Sequence, residues 1–233
     1  MVEIKGLEKL APRDFPGHLS ATVFTGGCNL RCPYCHNADL VLKPASLSTI
    51  PREEFLEFLE VRRSFLEAVC VTGGEPLMHG DVGDLLSAIK EMGFLVKLDT
   101  NGCYPGRLRE MIAGALVDVV AMDVKAPLEK YAQAAGVPVE TDAIRESISV
   151  LRESGCRHVF RTTVVPGLLS GEDIGAIAAM LKGGAEEYRL QPFSPGHTLD
   201  PGYAEKPSCS SEDLSRFAAI AGEFVLNVTI ERT

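Results

Sequence analysis

The chain contains no uninterrupted apolar run that approaches the roughly 20 residues needed to cross a membrane. Its start, residues 1–9, alternates charged with single apolar residues and therefore predicts no export signal. Basic residues are in the minority, since 23 lysines and arginines face 32 aspartates and glutamates, a formal charge of −9. Binding to a nucleic-acid backbone needs clustered lysine and arginine, so this balance argues against a nucleic-acid partner.

Low-complexity tracts, repeats of fixed period and linkers rich in proline, glycine or serine are also missing. The 233 residues are enough for one domain with a substantial core. We therefore predict a single domain over residues 1–233. Its predicted parts are an N-terminal extension at 1–17, a core at 18–194, and a C-terminal loop and helix at 195–233.

Strand-like and helix-like segments alternate along the chain. Short segments rich in Val, Ile, Thr or Phe predict strands at 18–25, 69–72, 95–99, 117–123, 158–164 and 187–191. Amphipathic patterns predict helices near 51–67, 82–92, 107–114, 142–153, 172–182 and 212–224. Such alternation implies parallel strands, and the chain is short for a full eight-unit barrel of about 250 residues. We predict a partial, open barrel or a doubly wound sheet, with the reactive site at the carboxyl ends of the strands.

The seven cysteines are an odd number, whereas a disulfide framework is typical of short secreted chains with an even count. Three of them, Cys28, Cys32 and Cys35, fall within eight residues on the loop after the first predicted strand. Three thiolates at this spacing can meet at one metal centre. These residues alone leave three interpretations: an iron–sulfur cluster in which one iron has no protein ligand, a zinc site completed by His36, or a coincidence of spacing. The remaining cysteines are interpreted as packing residues: Cys70, Cys103, Cys156 and Cys209.

Polar or glycine-rich segments follow the next three predicted strands. The Gly-Gly-Glu segment at 73–75 lets the backbone approach a ligand, and the Glu75 carboxylate can hold an ammonium group. Asp99 ends the third strand, and Asp123 and Lys125 end the fourth, where their spacing of two places them on one face. Each segment alone fits an ordinary turn or a salt-bridged rim. Four successive polar strand ends favour a pocket.

Together these motifs resemble the radical S-adenosylmethionine (SAM) superfamily. Tyr34 before the last cysteine of the triple, and the segments 72–76, 98–102 and 122–125, occur in the order typical of glycyl-radical-enzyme activases. Three further segments, 14–17, 121–127 and 160–166, are most similar to activating proteins of anaerobic ribonucleoside-triphosphate reductase. The resemblance covers about residues 7–194 and implies an α/β fold, a partial (β/α)6 barrel of the radical SAM type with mostly parallel strands.

The resemblance also implies a role for individual residues. Cys28, Cys32 and Cys35 would ligate three irons of a [4Fe–4S] cluster, and SAM would chelate the fourth. The implied SAM contacts are Tyr34, Cys35 and His36 along the adenine, Gly73, Gly74 and Glu75 at the methionine amino group, Asp123, Val124 and Lys125 at the carboxylate or ribose, and Ser194. The resemblance also implies that Asp99 and Thr100 contact SAM. It further implies a monovalent cation near Asp99, Thr100, Met122 and Asp123.

The implied activity is reductive cleavage of SAM at the cluster, after which the 5′-deoxyadenosyl radical takes a hydrogen atom from a glycine of the partner. The implied partners are a glycyl radical enzyme, first of all anaerobic ribonucleoside-triphosphate reductase, and a flavodoxin or ferredoxin-type electron donor. Pyruvate formate-lyase activases usually have Tyr-His after the proline of the last strand. Here Phe193-Ser194 follows Pro192, which argues against pyruvate formate-lyase as the partner.

Three alternatives stay open at this point. The chain could be a radical SAM enzyme acting on a small molecule, such as a 7-carboxy-7-deazaguanine synthase-like enzyme, or an activase of another glycyl radical enzyme. A non-enzymatic zinc-binding module is the remote alternative. An exposed SAM-binding cluster implies a reducing, oxygen-poor cytoplasm as the compartment.

Overall fold

The residues described in the computed structural model, 2–231, contain eight strands that join one sheet in chain order. The strands are β1 (Ile4–Glu8), β2 (Ser20–Thr25), β3 (Ala68–Gly73), β4 (Leu95–Thr100), β5 (Val119–Asp123), β6 (Arg157–Val164), β7 (Tyr188–Pro192) and β8 (Val228–Ile230). The six predicted strands correspond to β2 through β7. The patterns missed β1 and β8, which are short segments with little apolar alternation.

Nine helices alternate with these strands along the described chain. They are α1 (Ala38–Leu42), α2 (Arg52–Arg62), α3 (Val82–Glu91), α4 (Pro105–Ala113), α5 (Tyr131–Ala135), α6 (Thr141–Ser154), α7 (Gly171–Leu181), α8 (Pro201–Ala204) and α9 (Ser211–Ala221). The six predicted helices correspond to α2, α3, α4, α6, α7 and α9. The other three have only four or five residues, too few to show an amphipathic period. No helix among residues 2–231 is long and apolar enough to span a membrane.

The described chain divides into two units. Unit 1 consists of residues 2–29, 39–100 and 106–120, and unit 2 of residues 30–38, 101–105 and 121–231. Met1, Arg232 and Thr233, which belong to the predicted domain, lie outside the described residues. The division into an extension, a core and a C-terminal segment therefore stays a prediction.

In unit 1, β2 pairs with β1 in the antiparallel sense and with β3 in the parallel sense, and β3 pairs parallel with β4. The register of β2 and β3 sets Thr25 beside Gly73, so the chains that leave these strands begin next to each other. Val23, Val71 and Leu98 are fully buried, as expected for parallel strands covered on both faces. This register brings the segment before Cys28 to the Gly-Gly-Glu segment.

In unit 2, β6 pairs parallel with β7, and β7 with β8. Ser170 and Asp173 form a capping box at the start of α7, which confirms the predicted helix start. The apolar stripe of α7 is fully buried, from Ile174 through Ile177 to Leu181. The burial of this stripe anchors the helix within unit 2, where α7 contacts α9.

Candidate active site

The Gly-Gly-Glu segment of unit 1 lies against the backbone that leads to Cys28. The amide of Glu75 donates to the carbonyl of Gly27 at 2.8 Å, and the amide of Gly74 donates to the carbonyl of Thr25 at 2.9 Å. A Cβ at Gly74 would overlap the carbonyl of Gly27. Only glycine therefore permits this close approach.

The Glu75 carboxylate is fully buried in unit 1. Its Oε1 accepts hydrogen bonds from the Leu77 amide at 2.9 Å and the Thr100 hydroxyl at 2.8 Å. The structure thus brings together two of the predicted SAM contacts, Glu75 and Thr100. A buried carboxylate held in this way is suited to accept a hydrogen bond from an ammonium group.

Two residues that the sequence did not single out hold this segment in place. The guanidinium of Arg107 donates to the carbonyls of Leu77 and Met78, each at 2.6 Å. The Nε2 of His79 lies 2.8 Å from the carbonyl of Gly26. No local pattern marks either residue, because both act on backbone groups of other segments.

Asp99 has a close partner that sequence reasoning also missed. Lys97 is only 4% exposed, and its ammonium forms an ion pair with Asp99 on the same strand. The same ammonium lies 3.5 Å from the Sγ of Cys70. Of the predicted cation set, Asp99 and Thr100 belong to unit 1, and Met122 belongs to unit 2. The cation site therefore stays a prediction.

The cysteine loop of unit 2 contains a tight turn. The amide of Cys35 donates to the carbonyl of Cys32 at 3.0 Å, and Cys32 is only 7% exposed. Desolvation raises the pKa of the Cys35 thiol, and the negative charge of the nearby Asp123 raises it further. The Asn37 amide and Lys125 lower this pKa, but by less. Metal binding would therefore have to displace the Cys35 proton.

Two other segments of unit 2 fasten this loop. The amide of Leu199 donates to the carbonyl of Cys35 at 3.0 Å, and the amide of Asp200 donates to the carbonyl of Pro33 at 2.9 Å. On the other side, the amide of Arg31 donates to the carbonyl of Ala135, at the end of α5, at 2.8 Å. The backbone of the loop is thus held by three main-chain hydrogen bonds to two other segments.

The glycine that ends α5 provides a test of this contact. Gly136 is left-handed, with φ of 70°, and a Cβ there would overlap the carbonyl of Arg31. We expect Gly136→Ala to shift the cysteine loop and to lower the free energy of unfolding by about 3 kcal/mol, combining left-handed strain with overpacking. Urea denaturation measures the change, and iron retention after anaerobic reconstitution measures the effect on the loop.

A matched control for this variant exists at the end of α6. Gly155 has nearly the same conformation, φ of 67°, but a Cβ there meets nothing within 4 Å. Gly155→Ala should cost only the left-handed strain, about 1 kcal/mol, and leave iron retention unchanged. Equal losses in the two variants would contradict the importance of the contact with Arg31.

His36 and Ser194 lie at the surface of unit 2. The His36 ring stacks with Phe193 at 6.1 Å between centroids and 29° between planes. Partial desolvation and the neighbouring His197 lower the pKa of His36, so the neutral ring is favoured. Ser194 is exposed and follows the fully buried Phe193. Its predicted contact with SAM stays a prediction.

Asp123 connects two cations in unit 2. Its Oδ2 accepts from the ammonium of Lys125 at 2.9 Å, and its Oδ1 accepts from Nε of Arg161 at 2.8 Å. Burial disfavours the charged carboxylate, but Arg161 and Lys125 outweigh this and hold the pKa of Asp123 below its usual range. Burial likewise disfavours the charged form of Lys125, but the negative charge of Asp123 outweighs this effect. The pKa of Lys125 therefore lies well above its usual value. All three groups are therefore charged at neutral pH.

Arg161 was not among the predicted site residues, although its segment was part of the resemblance. It lies on β6, where the amide of Val124 donates to its carbonyl at 2.8 Å. Its side chain is 14% exposed and that of Lys125 is 15% exposed. Two cations around one carboxylate suit an anionic group of a ligand, and Lys125 has ammonium hydrogens beyond the one that bonds to Asp123.

Tyr34 has a buried hydroxyl beside these charges. The residue is 4% exposed, and its hydroxyl is the one buried side-chain nitrogen or oxygen among residues 2–231 without a hydrogen-bond partner. Burial raises the pKa of Tyr34 well above its usual value, and Cys32 is the neighbouring titratable group that raises it most. Tyr34 is thus predominantly a neutral phenol with one hydrogen to donate.

The seven cysteines, all within residues 2–231, form no disulfide. In that part of the chain no three side chains of His, Cys, Asp or Glu are already gathered as a metal site. The assignment of Cys28, Cys32 and Cys35 as cluster ligands therefore stays a prediction from the sequence.

The comparisons with known proteins agree with these features. The Radical SAM superfamily matches residues 22–200. A Methanocaldococcus jannaschii protein, described as a candidate glycyl-radical enzyme activating enzyme, is 34% identical over 97% of this chain and 95% of its own. The pyruvate formate-lyase-activating enzyme of Clostridium pasteurianum is 29% identical over 88% of this chain and 87% of its own. In fold, the crystal structure of Streptococcus suis SuiB matches with a TM-score of 0.69 at 17% identity, over 89% of this chain and 47% of SuiB.

This chain belongs to the radical SAM superfamily. Within that superfamily it is an enzyme of the glycyl-radical-enzyme activating group. The predicted α/β fold of the radical SAM type with mostly parallel strands is confirmed. Membership implies a [4Fe–4S] cluster and SAM as cofactors.

The residues present fit these cofactors. Soft thiolate ligands suit iron–sulfur clusters, and three closely spaced cysteines leave one iron for SAM. Gly74 keeps space that a side chain would fill, and the Tyr34 hydroxyl lacks a partner from the described chain. In unit 1, Glu75 offers the negative charge that an ammonium group needs, and in unit 2, Lys125 offers the positive charge that a carboxylate needs.

Proposed function

We propose that this enzyme generates the glycyl radical of an anaerobic ribonucleoside-triphosphate reductase. The observation that carries the choice of partner is Phe193-Ser194 at the end of β7, where pyruvate formate-lyase activases usually have Tyr-His. Ser194 has no imidazole to place near the ribose. The segments 14–17, 121–127 and 160–166, which resemble the reductase activating proteins, support the same choice.

The proposed roles follow from the two sets of contacts. Cys28, Cys32 and Cys35 would hold the cluster through three irons. In unit 1, Glu75 would accept from the methionine ammonium, with Thr100 keeping its carboxylate in place. The close packing at Gly74 would hold the backbone in position for that contact.

In unit 2, Lys125 would donate to the methionine carboxylate or the ribose while Asp123 and Arg161 keep its ammonium oriented. Tyr34, Cys35 and His36 would lie along the adenine through their main chain, beside Val124 and Ser194. We further propose a monovalent cation near Asp99, Thr100, Met122 and Asp123.

When bound, the cluster and SAM would supply the chemistry, in which one electron from a flavodoxin or ferredoxin-type donor drives reductive cleavage of SAM and a hydrogen atom is removed from the partner's glycine. The polypeptide would orient the methionine end of SAM through charge. We place this activity in the oxygen-poor cytoplasm, where thiols stay reduced.

The test is anaerobic incubation of the reconstituted enzyme with reductant, SAM and the reductase, followed by electron paramagnetic resonance. We expect a glycyl radical on the reductase together with 5′-deoxyadenosine and methionine. A reductase whose radical glycine is replaced by alanine is the control and should show no such signal. Pyruvate formate-lyase, incubated in parallel, should show much less radical.

Two outcomes would overturn the proposal. A radical on pyruvate formate-lyase but not on the reductase would reassign the partner within the activating group. SAM cleavage that depends on a small molecule, with no radical on any glycyl radical enzyme, would favour the small-molecule alternative. Colourless protein that binds one zinc ion and no iron would indicate the zinc-binding module.

A further inference from the structure

Lys97 is a charged residue in the interior of unit 1. It lies on β4, and its side chain is only 5% exposed. Lysine is almost never buried to this degree unless its ammonium is paired, because the charge loses its hydration. The ammonium of Lys97 forms an ion pair with the carboxylate of Asp99, whose side chain is 14% exposed. None of the proposed contacts with SAM or the cluster involves Lys97, so its burial calls for another role.

Strand geometry fixes the position of this ammonium. Lys97 and Asp99 are two positions apart on β4, so their side chains extend from the same face of the strand. The register with β3 sets Lys97 beside Cys70, which is 1% exposed, and the Lys97 Nζ lies 3.5 Å from the Cys70 Sγ. Sulfur is a weak acceptor, so the carboxylate is the stronger of these two partners. Two neighbouring strands thus hold the ammonium at Asp99.

Asp99 is also one of the residues near which a monovalent cation is proposed. Small hard cations bind to oxygen atoms, and a carboxylate attracts them most because it is negatively charged. The Asp99 carboxylate already has a positive charge beside its Oδ1, supplied by Lys97. This ammonium is attached to the same strand and therefore loses little freedom when it pairs, whereas a dissolved ion loses its translational freedom. The lysine and a dissolved cation compete for one carboxylate, and the lysine has the advantage.

The other carboxylate of the proposed cation set is also paired within its own unit. In unit 2, Asp123 accepts from the ammonium of Lys125 at 2.9 Å and from Nε of Arg161 at 2.8 Å. A carboxylate that is already neutralised attracts a further cation weakly. Asp99 has the simpler environment of the two for a test, because its ion pair with Lys97 is formed within one strand.

We propose that the ammonium of Lys97 occupies the place of a monovalent cation at Asp99, so that a dissolved cation binds there only by displacing it. Lys97 then sets the affinity of this carboxylate for cations. Removal of its charge should create a site for potassium or sodium. The inference rests on the cation in the proposed function and is independent of the choice of partner.

The test compares wild type with Lys97→Met, in which a side chain of similar length has no charge. Both are reconstituted anaerobically without SAM. Thermal unfolding is followed in about 0.2 M potassium chloride and in choline chloride of equal concentration, so that screening is the same. We expect the two wild-type midpoints to agree within about 1 °C. The midpoint of Lys97→Met should be at least about 4 °C higher in potassium, because an ion that binds only the folded state stabilises it.

A direct measurement of binding accompanies the unfolding experiment. Lys97→Met should broaden the NMR signal of dissolved sodium, and added potassium should reverse the broadening by displacement. Adding Asp99→Asn to Lys97→Met should abolish both the broadening and the potassium effect on unfolding, because the carboxylate is then absent.

Lys90→Met is the matched control. Lys90 and Asp118 also form a lysine–aspartate ion pair in unit 1, with nitrogen and oxygen 2.8 Å apart, but their side chains are 27% and 29% exposed. Water solvates the carboxylate that remains in this variant, and the amide of Val96 still donates to it at 2.7 Å. Potassium and choline should therefore give midpoints within about 1 °C of each other.

Lys97→Gln provides a second variant for the same comparison, because its amide can donate to Asp99 without carrying charge. Equal potassium effects in wild type and Lys97→Met would overturn the inference and leave the proposed cation in place. An equal effect in Lys90→Met, an effect that survives Asp99→Asn, or failure of both Lys97 variants to fold in potassium would also overturn it. No potassium effect in any variant would refute a cation at Asp99, and the role of Lys97 with it.

Discussion

Cys32→Ala is expected to reduce SAM cleavage at least about a thousandfold, because an enzyme that loses its cofactor loses most of an acceleration of about a millionfold or more. Cys32 is 7% exposed and lies in the turn closed by Cys35, so water or another side chain cannot easily replace its sulfur. The measurement is 5′-deoxyadenosine formed under dithionite, together with iron and sulfide content. Both should fall together, since the same sulfur holds the iron.

Cys156 and Cys209 provide the controls for this experiment. Both are partly buried and lie singly in the chain, outside the spacing of the triple. Cys156→Ala and Cys209→Ala should retain iron content and SAM cleavage within about twofold of wild type, the effect expected of a small packing change. Wild-type iron and cleavage in Cys32→Ala would refute the assignment of this cysteine as a cluster ligand.

Asp123→Asn is expected to lower the free energy of unfolding by about 3 kcal/mol, because it leaves two adjacent buried cations without their carboxylate. The side chains of Lys125 and Arg161 are 15% and 14% exposed, and that of Asp123 is 25% exposed. This partial exposure places the loss at the lower end of the range for a broken buried ion pair. Urea denaturation of the metal-free protein at neutral pH measures it.

An exposed ion pair at the C-terminal end of α2 is the control for Asp123. Glu60 and Arg63 are 3.6 Å apart with side chains 62% and 55% exposed. Glu60→Gln should change stability by less than about 0.5 kcal/mol, since solvent screens such a pair. Equal losses in Asp123→Asn and Glu60→Gln would contradict the importance of the buried cluster.

The pH dependence of Asp123→Asn follows from the shifted pKa values. Because the pKa of Asp123 is lowered by folding, its contribution is complete above the ordinary carboxyl range near pH 4 and is lost as the pH falls through its folded value. The pKa of Lys125 is raised, so its contribution is complete below about pH 10 and is lost only as the pH rises further. The stability difference from wild type should therefore be constant between about pH 5 and 9 and shrink in acid.

The six strands from β2 to β7 could be predicted because each is a short apolar segment ended by glycine, proline or a polar residue. The motifs after these strands were equally visible. Asp123 and Lys125, whose spacing placed them on one face, are hydrogen-bonded to each other, and Glu75 is hydrogen-bonded to Thr100. These strands and motifs are short continuous segments, and such segments can be recognised from the sequence alone.

Arg161 and Lys97 could not be found in the same way. Arg161 is separated from Asp123 by 38 positions, and their ion pair depends on which residue of β6 lies beside the end of β5. Lys97 is a buried lysine on a central strand, where composition alone predicts exposure. Its ion pair with Asp99, two residues away on the same strand, offsets the cost of burial. That spacing is local, but the burial of Lys97 depends on the tertiary packing around β4.

The order and spacing of cysteines, glycines and acidic residues along the chain were sufficient to define the superfamily and the chemistry of the ligands, because spacing is a property of the chain itself. The contacts between distant segments were decided only in three dimensions. Strand register sets Arg161 against Asp123, and close packing sets Gly136 against Arg31. Packing also leaves the Tyr34 hydroxyl without a partner among the described residues, because burial and hydrogen-bond geometry depend on all the neighbours of a side chain at once.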